Sequence, residues 1–455
     1  MKSKILCTVP IIILNIILLA GCSKYLDKKP DKKLAVPDKL EDLQALLDYW
    51  VNMNQREPSA GNVSSDEFYV TPQDLGNASE TERNQYVWAN ANLFPYTVND
   101  WAQCFRIIYT SNSVLENIEK ISKAGKESDW ENIKGQALLF RSNAFLQAAF
   151  IWCLAYDEKT SSTDLGLPLR LNSDFNETSK RATVEETYMQ VLNDLKLAAT
   201  LLPEQSIHSY RPSKPAAYAL LSRAYLSMRK YEDAGKYADS ALAIRNALFD
   251  YNKLSTTATY PFSTFQFAAN PEVIFDTRNA ANYILAISIA KVDTSLYKIY
   301  ATNDLRKQIF FRAYSNGSYG FKGSYAGNAF FMGVATDELY LIKAETLARN
   351  GNISDGLLIL NKLLEKRWKA GTFIPYRETT KDAVLETILM ERRKELYRRG
   401  IRWMDIKRLN KEGKNISLKR VLDGEQYLLQ ANDLRFALPL PEDVIKMSGM
   451  EQNPR

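Results

Sequence analysis

Histidine is almost absent from the sequence: 455 residues contain one, His208. Zinc sites are built mainly from histidine and cysteine, and Ser-His-Asp or Cys-His catalytic groups need a histidine. His208 lies in PEQSIHSYRPS, a polar segment between two helical patterns, and is interpreted as a surface-loop residue. The sequence therefore gives little support for a zinc site or a histidine-dependent hydrolase, and no cofactor is expected.

Cysteine is also scarce, and one of the four follows a short apolar run. That run, from about residue 5 to residue 20, begins after Lys2 and Lys4 and falls short of the roughly 20 continuous apolar residues of a bilayer-crossing helix. Its charged start, apolar centre and small residues are typical of an export signal. Because Leu19-Ala20-Gly21-Cys22 resembles the bacterial lipobox, residues 1–21 are predicted to be a signal peptide and Cys22 the lipidated residue. Several acyl chains hold a protein at a membrane where one binds only marginally.

Two cysteines remain in the mature chain beyond Cys22, namely Cys104 and Cys153. An exported protein can join such a pair in a disulfide, but the spacing does not define the pairing. Two buried thiols are the favoured alternative.

The sequence lacks a long stretch of basic residues. The formal net charge is +6, and removal of residues 1–21 takes away two lysines and no acid, which leaves +4. Because the remaining basic residues are interspersed with acidic ones, nucleic acid is not an expected partner. Residues 22–38 are predicted to be a charged tether, followed by a single folded domain over 39–455.

Helical periodicity dominates that domain, and two stretches repeat each other 122 positions apart. Each follows the tetratricopeptide pattern of a helical hairpin whose small residues let the helices approach closely. The matching positions are Tyr218, Leu221, Ser222, Tyr225, Ala234, Ala238 and Ala241 in the first stretch and Tyr340, Lys343, Ala344, Leu347, Gly356, Leu360 and Leu363 in the second. One hairpin cannot bury its own apolar face, so residues 131–156 with 182–202, and 381–398 with 402–410, are predicted as further pairs. An irregular helical bundle is the alternative.

Two regions, about 52–100 and 250–334, break this periodicity and are rich in polar and aromatic residues. Long irregular segments are usually functional or disordered. The glycines of YSNGSYGFKGSYAGNAFF are not followed by the Lys-Ser or Lys-Thr of a phosphate-binding loop. This segment is either an aromatic binding loop or a surface loop whose tyrosines cover the core.

Several segments in this order resemble the SusD/RagB family of lipoproteins, which are partners of TonB-dependent outer-membrane transporters. The segments are CSKYLDKKPD, NPEVIFDTR, NDLRK at 303–307, ELYLIKAETLARNG at 338–351, ERRKELYRRGIRWMDIKRL at 391–409 and FALPLPEDVIKMSGMEQNP. The resemblance implies a mostly α-helical protein, a SusD-like α-α superhelix of tetratricopeptide-like hairpins (about 131–156, 182–249 and 335–410) that carries an irregular ligand-binding lobe. It also implies a lid-like role over a SusC-like transporter that imports glycans or other nutrients.

The leading hypothesis is a non-catalytic, lipid-anchored outer-membrane protein, exposed at the cell surface, that captures an oligosaccharide or similar polar nutrient. Sugars present apolar ring faces edged with hydroxyl groups, so aromatic and polar side chains of the lobe are the candidate contacts. The candidates are Asp66, Tyr69, Arg83, Tyr86, Trp88, Asn90, Tyr283, Tyr314 and Tyr319.

Two alternatives stay open. A periplasm-facing lipoprotein could use its hairpins as a scaffold in an envelope assembly complex, and the lysine-rich tether is compatible with this. A surface hydrolase would need paired carboxylates at a set separation; Asp66 and Glu67 are adjacent in the chain, but the sequence gives no distance between carboxyl groups.

The segment ERRKELYRRGIRWMDIKR carries charges of both signs at helical spacing. Glu391 and Glu395 stand beside arginines, which predicts a helix surface stabilised by ion pairs between residues three or four apart. Gly400 is expected to end the first helix and Trp403 to pack between two helices. A structural role is therefore favoured over anion binding.

Overall fold

The computed structural model describes residues 37–96, 98–262 and 270–455. The predicted signal peptide, Cys22 and nearly all of the predicted tether lie outside these residues. Among the helices described, none is both long enough and apolar enough to cross a bilayer.

Helices dominate the described chain, as predicted. In order they are α1 (Leu40–Leu47), α2 (Trp50–Met53), α3 (Ala60–Ser64), α4 (Pro72–Gly76), α5 (Glu80–Tyr86), α6 (Asp100–Ile118), α7 (Glu127–Trp152), α8 (Val184–Leu201), α9 (Lys214–Ser227), α10 (Tyr231–Ile244), α11 (Thr294–Lys298), α12 (Arg306–Phe310), α13 (Thr336–Arg349), α14 (Ile353–Glu365), α15 (Lys381–Glu395), α16 (Arg402–Asn410) and α17 (Glu442–Ser448).

The long helices form a layered scaffold around α7, whose residues 135–152 are all buried. Helices α6 and α8 pack on either flank of α7, and the α9–α10 and α13–α14 hairpins continue the array. Helix α15 packs on α13 and α14, whereas α16 packs on α3 and α7. The mostly α, tetratricopeptide-like fold is therefore confirmed, although the predicted partners α15 and α16 pack mainly on other helices.

Small residues and caps explain why these segments form closely packed helices. A Cβ on Gly356 of α14 would lie 2.9 Å from the carbonyl oxygen of Ala344 in α13, so only glycine allows this approach. In the other repeat, Ser222 Oγ donates to the carbonyl oxygen of Ala234 at 2.8 Å. Helix α8 begins with a capping box in which Thr183 and Glu186 satisfy each other's backbone N–H groups.

Short antiparallel ribbons organise the irregular lobe. The strands are β1 (Phe68–Tyr69), β2 (Val273–Phe275), β3 (Lys291–Val292), β4 (Phe311–Ala313), β5 (Tyr319–Phe321), β6 (Val334–Ala335), β7 (Leu418–Leu422) and β8 (Glu425–Leu429). They pair as β1–β3, β2–β6, β4–β5 and β7–β8. Aromatic side chains fill the lobe interior, with Phe311 opposite Phe321 in the β4–β5 pair. Tyr325, from the tyrosine and glycine segment, is buried and bonds to Tyr251.

The charged segment at 391–408 is structural, as expected, but its predicted location on a helix surface is wrong. Arg306 Nη2 donates to Glu391 at 2.6 Å, and Arg306 Nη1 donates to Glu395 at 2.9 Å. Arg367 Nε donates to Glu395 at 2.7 Å, and all of these side chains are buried. Only a few pairs, such as Lys394 with Glu391, follow the helical spacing. We refer to Glu272, Asp304, Arg306, Arg367, Glu391, Lys394 and Glu395 as the charged core.

The other landmarks of this segment also have defined positions. Helix α15 ends at Glu395 with Leu396 as its C-cap, so the expectation that Gly400 ends this helix is wrong; Gly400 lies in the following turn, with a φ of +76°. Trp403 is buried, packs on Gly61 of α3 and lies 4.7 Å, centroid to centroid, from Phe436. Trp403 and Phe436 both belong to the hydrophobic core of the scaffold.

Cys104 and Cys153 are buried free thiols. Burial raises the pKa of Cys153 to about 11 and that of Cys104 well above its usual value. His208 is exposed in the loop between α8 and α9, as the sequence predicts.

Candidate functional site

Four of the predicted ligand contacts line one cavity of about 290 Å³, which we call the Asp66 cavity: Asp66, Tyr69, Tyr86 and Trp88. Tyr69 is exposed, but Tyr86 and Trp88 are 2% and 1% exposed. The guanidinium carbon of Arg420 lies 3.4 Å from the Tyr86 ring centroid, and the Trp88 indole donates to the carbonyl oxygen of Ser64 at 3.0 Å. The sequence predicts ligand contacts for both rings, but both side chains are almost completely buried.

Asp66 and the adjacent Glu67 are in different electrostatic environments. Asp66 accepts two hydrogen bonds from Arg402, at 2.7 and 2.8 Å, and one from Arg393 at 3.1 Å. Although burial opposes ionisation, these guanidinium groups hold the pKa of Asp66 well below its usual range. Burial raises the pKa of Glu67 to about 7. Glu67 lines a separate space of about 20 Å³, so the two carboxyl groups do not face one substrate site.

The other candidates from the first irregular region lie elsewhere. Arg83, on α5, donates from its guanidinium group to the carbonyl oxygen of Ala78. Asn90 is exposed, and its side chain makes no hydrogen bond to the described residues.

The tyrosines of the second irregular region are spread over the lobe. Tyr283 is exposed, and its backbone N–H donates to Glu82 at 2.8 Å. Tyr314 donates its hydroxyl to the carbonyl oxygen of Ile287 at 2.9 Å. Tyr319 stacks on Tyr297 with centroids 3.6 Å apart. The structure therefore does not gather the nine predicted contacts into one site.

A larger concave surface runs across the lobe, which we call the lobe groove. It consists of two adjoining cavities of about 570 and 440 Å³, which share Gln55, Ala281 and Asn282 in their walls. Its polar and charged walls come from the segment after α2, from α5, from the first turn of α6 and from residues 278–282 and 328. They are Gln55, Arg56, Ser59, Ser79, Thr81, Glu82, Gln85, Asn99, Asp100, Gln103, Arg278, Asn279, Asn282 and Asn328.

Several polar groups in this groove have no protein partner. The side chains of Gln55, Arg56 and Gln103 make no hydrogen bond or ion pair with the residues that the structure describes. Gln85 Oε1 and Asn282 Oδ1 are buried acceptors, and no donor among the described residues bonds to either of them. Buried polar groups are normally satisfied, so these two buried acceptors favour a donor from a ligand or from solvent.

The acidic groups of the groove, in contrast, are already engaged. Glu82 accepts from Ser79 Oγ at 2.8 Å and from the backbone N–H of Tyr283. Asp100 accepts from the backbone N–H groups of Ser59 and Ala60, both at 2.8 Å. Burial raises the pKa of Asp100 to about 6.

Three exposed aromatic residues are next to lining residues in the chain. Tyr283 follows Asn282, and Tyr96 follows Pro95, which lines the larger cavity. Trp50 precedes the lining residue Val51, and the guanidinium carbon of Arg278 lies 5.9 Å from the Trp50 ring centroid. This combination suits a ligand that has both apolar faces and hydroxyl groups.

Sequence reasoning identified Tyr283 at this groove but missed Trp50, Tyr96, Gln55, Arg56 and Gln103. Tyr96, Gln55 and Arg56 fall within the irregular region that was predicted to be functional, yet no motif distinguishes them there. Among the described residues, no group of three or more His, Cys, Asp or Glu side chains is arranged to hold a metal ion.

Comparison with solved structures identifies the same architecture in other proteins. A SusD superfamily protein from Bacteroides thetaiotaomicron is 19% identical, with a TM-score of 0.74 over 92% of this chain and 100% of that chain. A SusD superfamily protein from Bacteroides fragilis is 18% identical, with a TM-score of 0.71 over 91% of this chain and 99% of its own. A SusD-like carbohydrate binding protein from Bacteroides vulgatus is 21% identical, with a TM-score of 0.68 over 90% of this chain and 97% of that one.

Family profiles match both ends of the chain. A SusD-like profile described as "Starch-binding associating with outer membrane" matches residues 24–226, and the SusD family profile matches residues 305–455. No curated protein gives a significant match. Two profiles of one family in sequence order, on a fold shared with solved members, identify the chain as a member of the SusD/RagB family.

Proposed function

We propose that this protein is a non-catalytic, lipid-anchored outer-membrane protein that binds an oligosaccharide in the lobe groove and passes it to a SusC-like TonB-dependent transporter. Family membership supports this role. The outer-membrane, starch-binding description of one matched profile supports the location and the ligand class. The carbohydrate-binding protein of similar fold from Bacteroides vulgatus supports the ligand class.

The observation that carries the proposal is an open groove lined by free amide groups, with exposed aromatic residues next to its lining residues in the chain. Gln55 and Gln103 each offer an amide with both donors and an acceptor, which is what hydroxyl groups require. Tyr283 and Tyr96 offer ring faces on which the apolar face of a sugar can stack. Such a site binds by many weak contacts.

The engaged carboxylates support binding without turnover. Glycoside hydrolysis uses two carboxyl groups that flank the bond to be broken. In the lobe groove, Glu82 and Asp100 both accept hydrogen bonds from protein donors. Glu82 belongs to the cap of α5 and Asp100 bonds to the start of α3, so both carboxylates have a structural role, which favours binding over turnover.

The anchor and the location rest on the sequence and the family. Cys22 and most of residues 22–38 lie outside the described residues, and their order of lipobox, cysteine and charged tether supports attachment through lipid. Treatment of intact cells with a protease is expected to remove the protein. Full protection would favour the periplasmic scaffold alternative.

Binding is tested with the protein lacking residues 1–22 against a panel of neutral and acidic polysaccharides, with heat of binding and release of reducing ends measured together. We expect binding to at least one glycan, no release of reducing ends, and weaker binding by Gln103→Ala. Tyr109→Ala, which removes an exposed ring outside the groove walls, is the control and should bind as the unmodified protein does. Turnover of a glycan, or equal binding by Gln103→Ala, would contradict the proposal.

A further inference from the structure

We infer that the ligand of the lobe groove is an acidic oligosaccharide, whose carboxylate or sulfate group pairs with Arg56. This inference rests on the proposed function and specifies its ligand class. Arg56 lines the larger cavity of the groove and is only partly exposed.

The backbone around Arg56 is held firmly in place. The next residue, Glu57, donates its backbone N–H to the carbonyl oxygen of Arg278 at 2.9 Å, and its own carbonyl oxygen accepts from Ala280 N at 2.7 Å. The Glu57 side chain is buried and accepts from Asn143 Nδ2 at 2.5 Å. These bonds hold the backbone next to Arg56 in position. The guanidinium group of Arg56 makes no hydrogen bond to the described residues.

Arg56 is the one charged side chain in the groove walls, among the residues described, that lacks a protein partner. Arg278 pairs with Asp276 at 3.1 Å. Glu82 accepts a hydrogen bond from Ser79, and Asp100 accepts one from the backbone N–H of Ser59. Thr97 and residues 263–269, which the structure does not describe, include no acidic residue. Neither internal gap can therefore supply a carboxylate for Arg56; the only acids in the other undescribed segment, residues 1–36, are Asp27 and Asp31 of the predicted tether.

The chemistry of guanidinium favours an anionic partner over a hydroxyl group. Its planar set of N–H donors matches the two oxygens of a carboxylate or sulfate, and charge-assisted bonds of this kind are about twice as strong as neutral ones. Gln55, the preceding residue, has a free amide that can bind a neighbouring hydroxyl. A neutral sugar would use the amides and the rings of this groove and leave the positive charge unpaired.

The test compares matched ligands that differ only in charge. Oligogalacturonates, oligomeric alginate and chondroitin sulfate are titrated into the protein, and so are their carboxyl-reduced or desulfated counterparts. We expect at least one acidic ligand to bind roughly tenfold or more tightly than its neutral counterpart, with an affinity that falls as salt rises. Arg56→Gln should remove that preference and Arg56→Lys should keep part of it.

Arg106→Gln is the matched control, because Arg106 is exposed on α6 and its side chain makes no hydrogen bond or ion pair with the described residues. The unfolding midpoint of each variant verifies that it is folded. Equal affinity for the two members of every pair, or an acid preference that survives Arg56→Gln, overturns the inference. If only neutral glycans bind, and Gln103→Ala weakens them, the proposed function stands and this inference fails; if no glycan binds, both fail.

Discussion

The charged core and the lobe groove are both rich in polar side chains, but they differ in whether those side chains are paired. In the charged core, Arg306 and Arg367 each contact at least two carboxylates, and these groups are fully buried. In the groove, Gln55, Arg56 and Gln103 have no partner among the described residues. Partner groups, more than residue type, therefore separate a polar cluster that holds the fold from one that is available to a ligand.

Removal of a member of the charged core should cause the largest loss in the free energy of unfolding. Glu395→Ala takes the acceptor from Arg306 Nη1, at 2.9 Å, and from Arg367 Nε, at 2.7 Å. Loss of one partner from a buried ion pair typically costs about 3–5 kcal/mol, because the other charge stays buried. Chemical denaturation should show a decrease of this size in the free energy of unfolding.

Glu131→Ala is the control for that experiment, since Glu131 pairs with Lys123 at 2.7 Å on the surface. Exposed pairs contribute less than about 1 kcal/mol. Similar losses for the two variants would mean that the charged core does not stabilise the fold by pairing.

Buried acids that form no ion pair should show the opposite dependence on pH from those that form one. Burial raises the pKa of Glu57 to about 7, so the folded protein keeps a proton that the unfolded chain has released. The free energy of unfolding should therefore fall as pH rises from about 4.5 to about 7. Glu57→Gln keeps an acceptor for Asn143 and should flatten this fall, with a gain of at most about 3 kcal/mol above pH 7.

Asp66→Asn gives the contrasting case. The pKa of Asp66 is held below its usual range by Arg402 and Arg393, so its contribution to stability is present at neutral pH and is lost as pH falls below about 4. Denaturation curves measured from about pH 2 to about pH 8 distinguish the two variants. Parallel pH profiles for Glu57→Gln and Asp66→Asn would contradict the assigned environments.

Much of the scaffold could be predicted from the sequence, because packed helices place small and apolar residues at a regular spacing. Ala234, Ala238 and Gly356 recur where helices approach closely, and both predicted repeats form hairpins. The location of the charged segment could not be predicted in this way. The partners of Glu391 and Glu395 include Arg306 and Arg367, which are distant in sequence and carry no periodic signal.

The candidate site was less predictable, for two physical reasons. Irregular segments have no periodic hydrophobic pattern that separates buried from exposed aromatic residues. The sequence therefore does not distinguish the buried Tyr86 and Trp88 from the exposed Tyr283. The groove, moreover, is defined by groups that lack partners, and a missing partner becomes visible only when the whole fold surrounds the side chain.

Trp88 should affect stability and leave binding unchanged. Its indole N–H donates to the carbonyl oxygen of Ser64, and its backbone has a φ of +56°. Trp88→Phe removes that hydrogen bond and part of a buried ring, with an expected loss of about 1–3 kcal/mol. Glycan affinity measured well below the unfolding midpoint should not change. Weaker binding at unaltered stability would return Trp88 to the list of ligand contacts.

The smallest expected effect distinguishes the lobe groove from the Asp66 cavity as the ligand site. Tyr283 at the groove and Tyr69 at the Asp66 cavity are 37% and 36% exposed, so their removal costs similar packing. Tyr283→Ala should weaken glycan binding roughly tenfold, or about 1.4 kcal/mol, through the loss of one stacking face. Tyr69→Ala should leave the affinity within experimental error. The reverse result would assign the ligand to the Asp66 cavity, where Asp66 already carries two arginines and a sugar hydroxyl would have to compete with them.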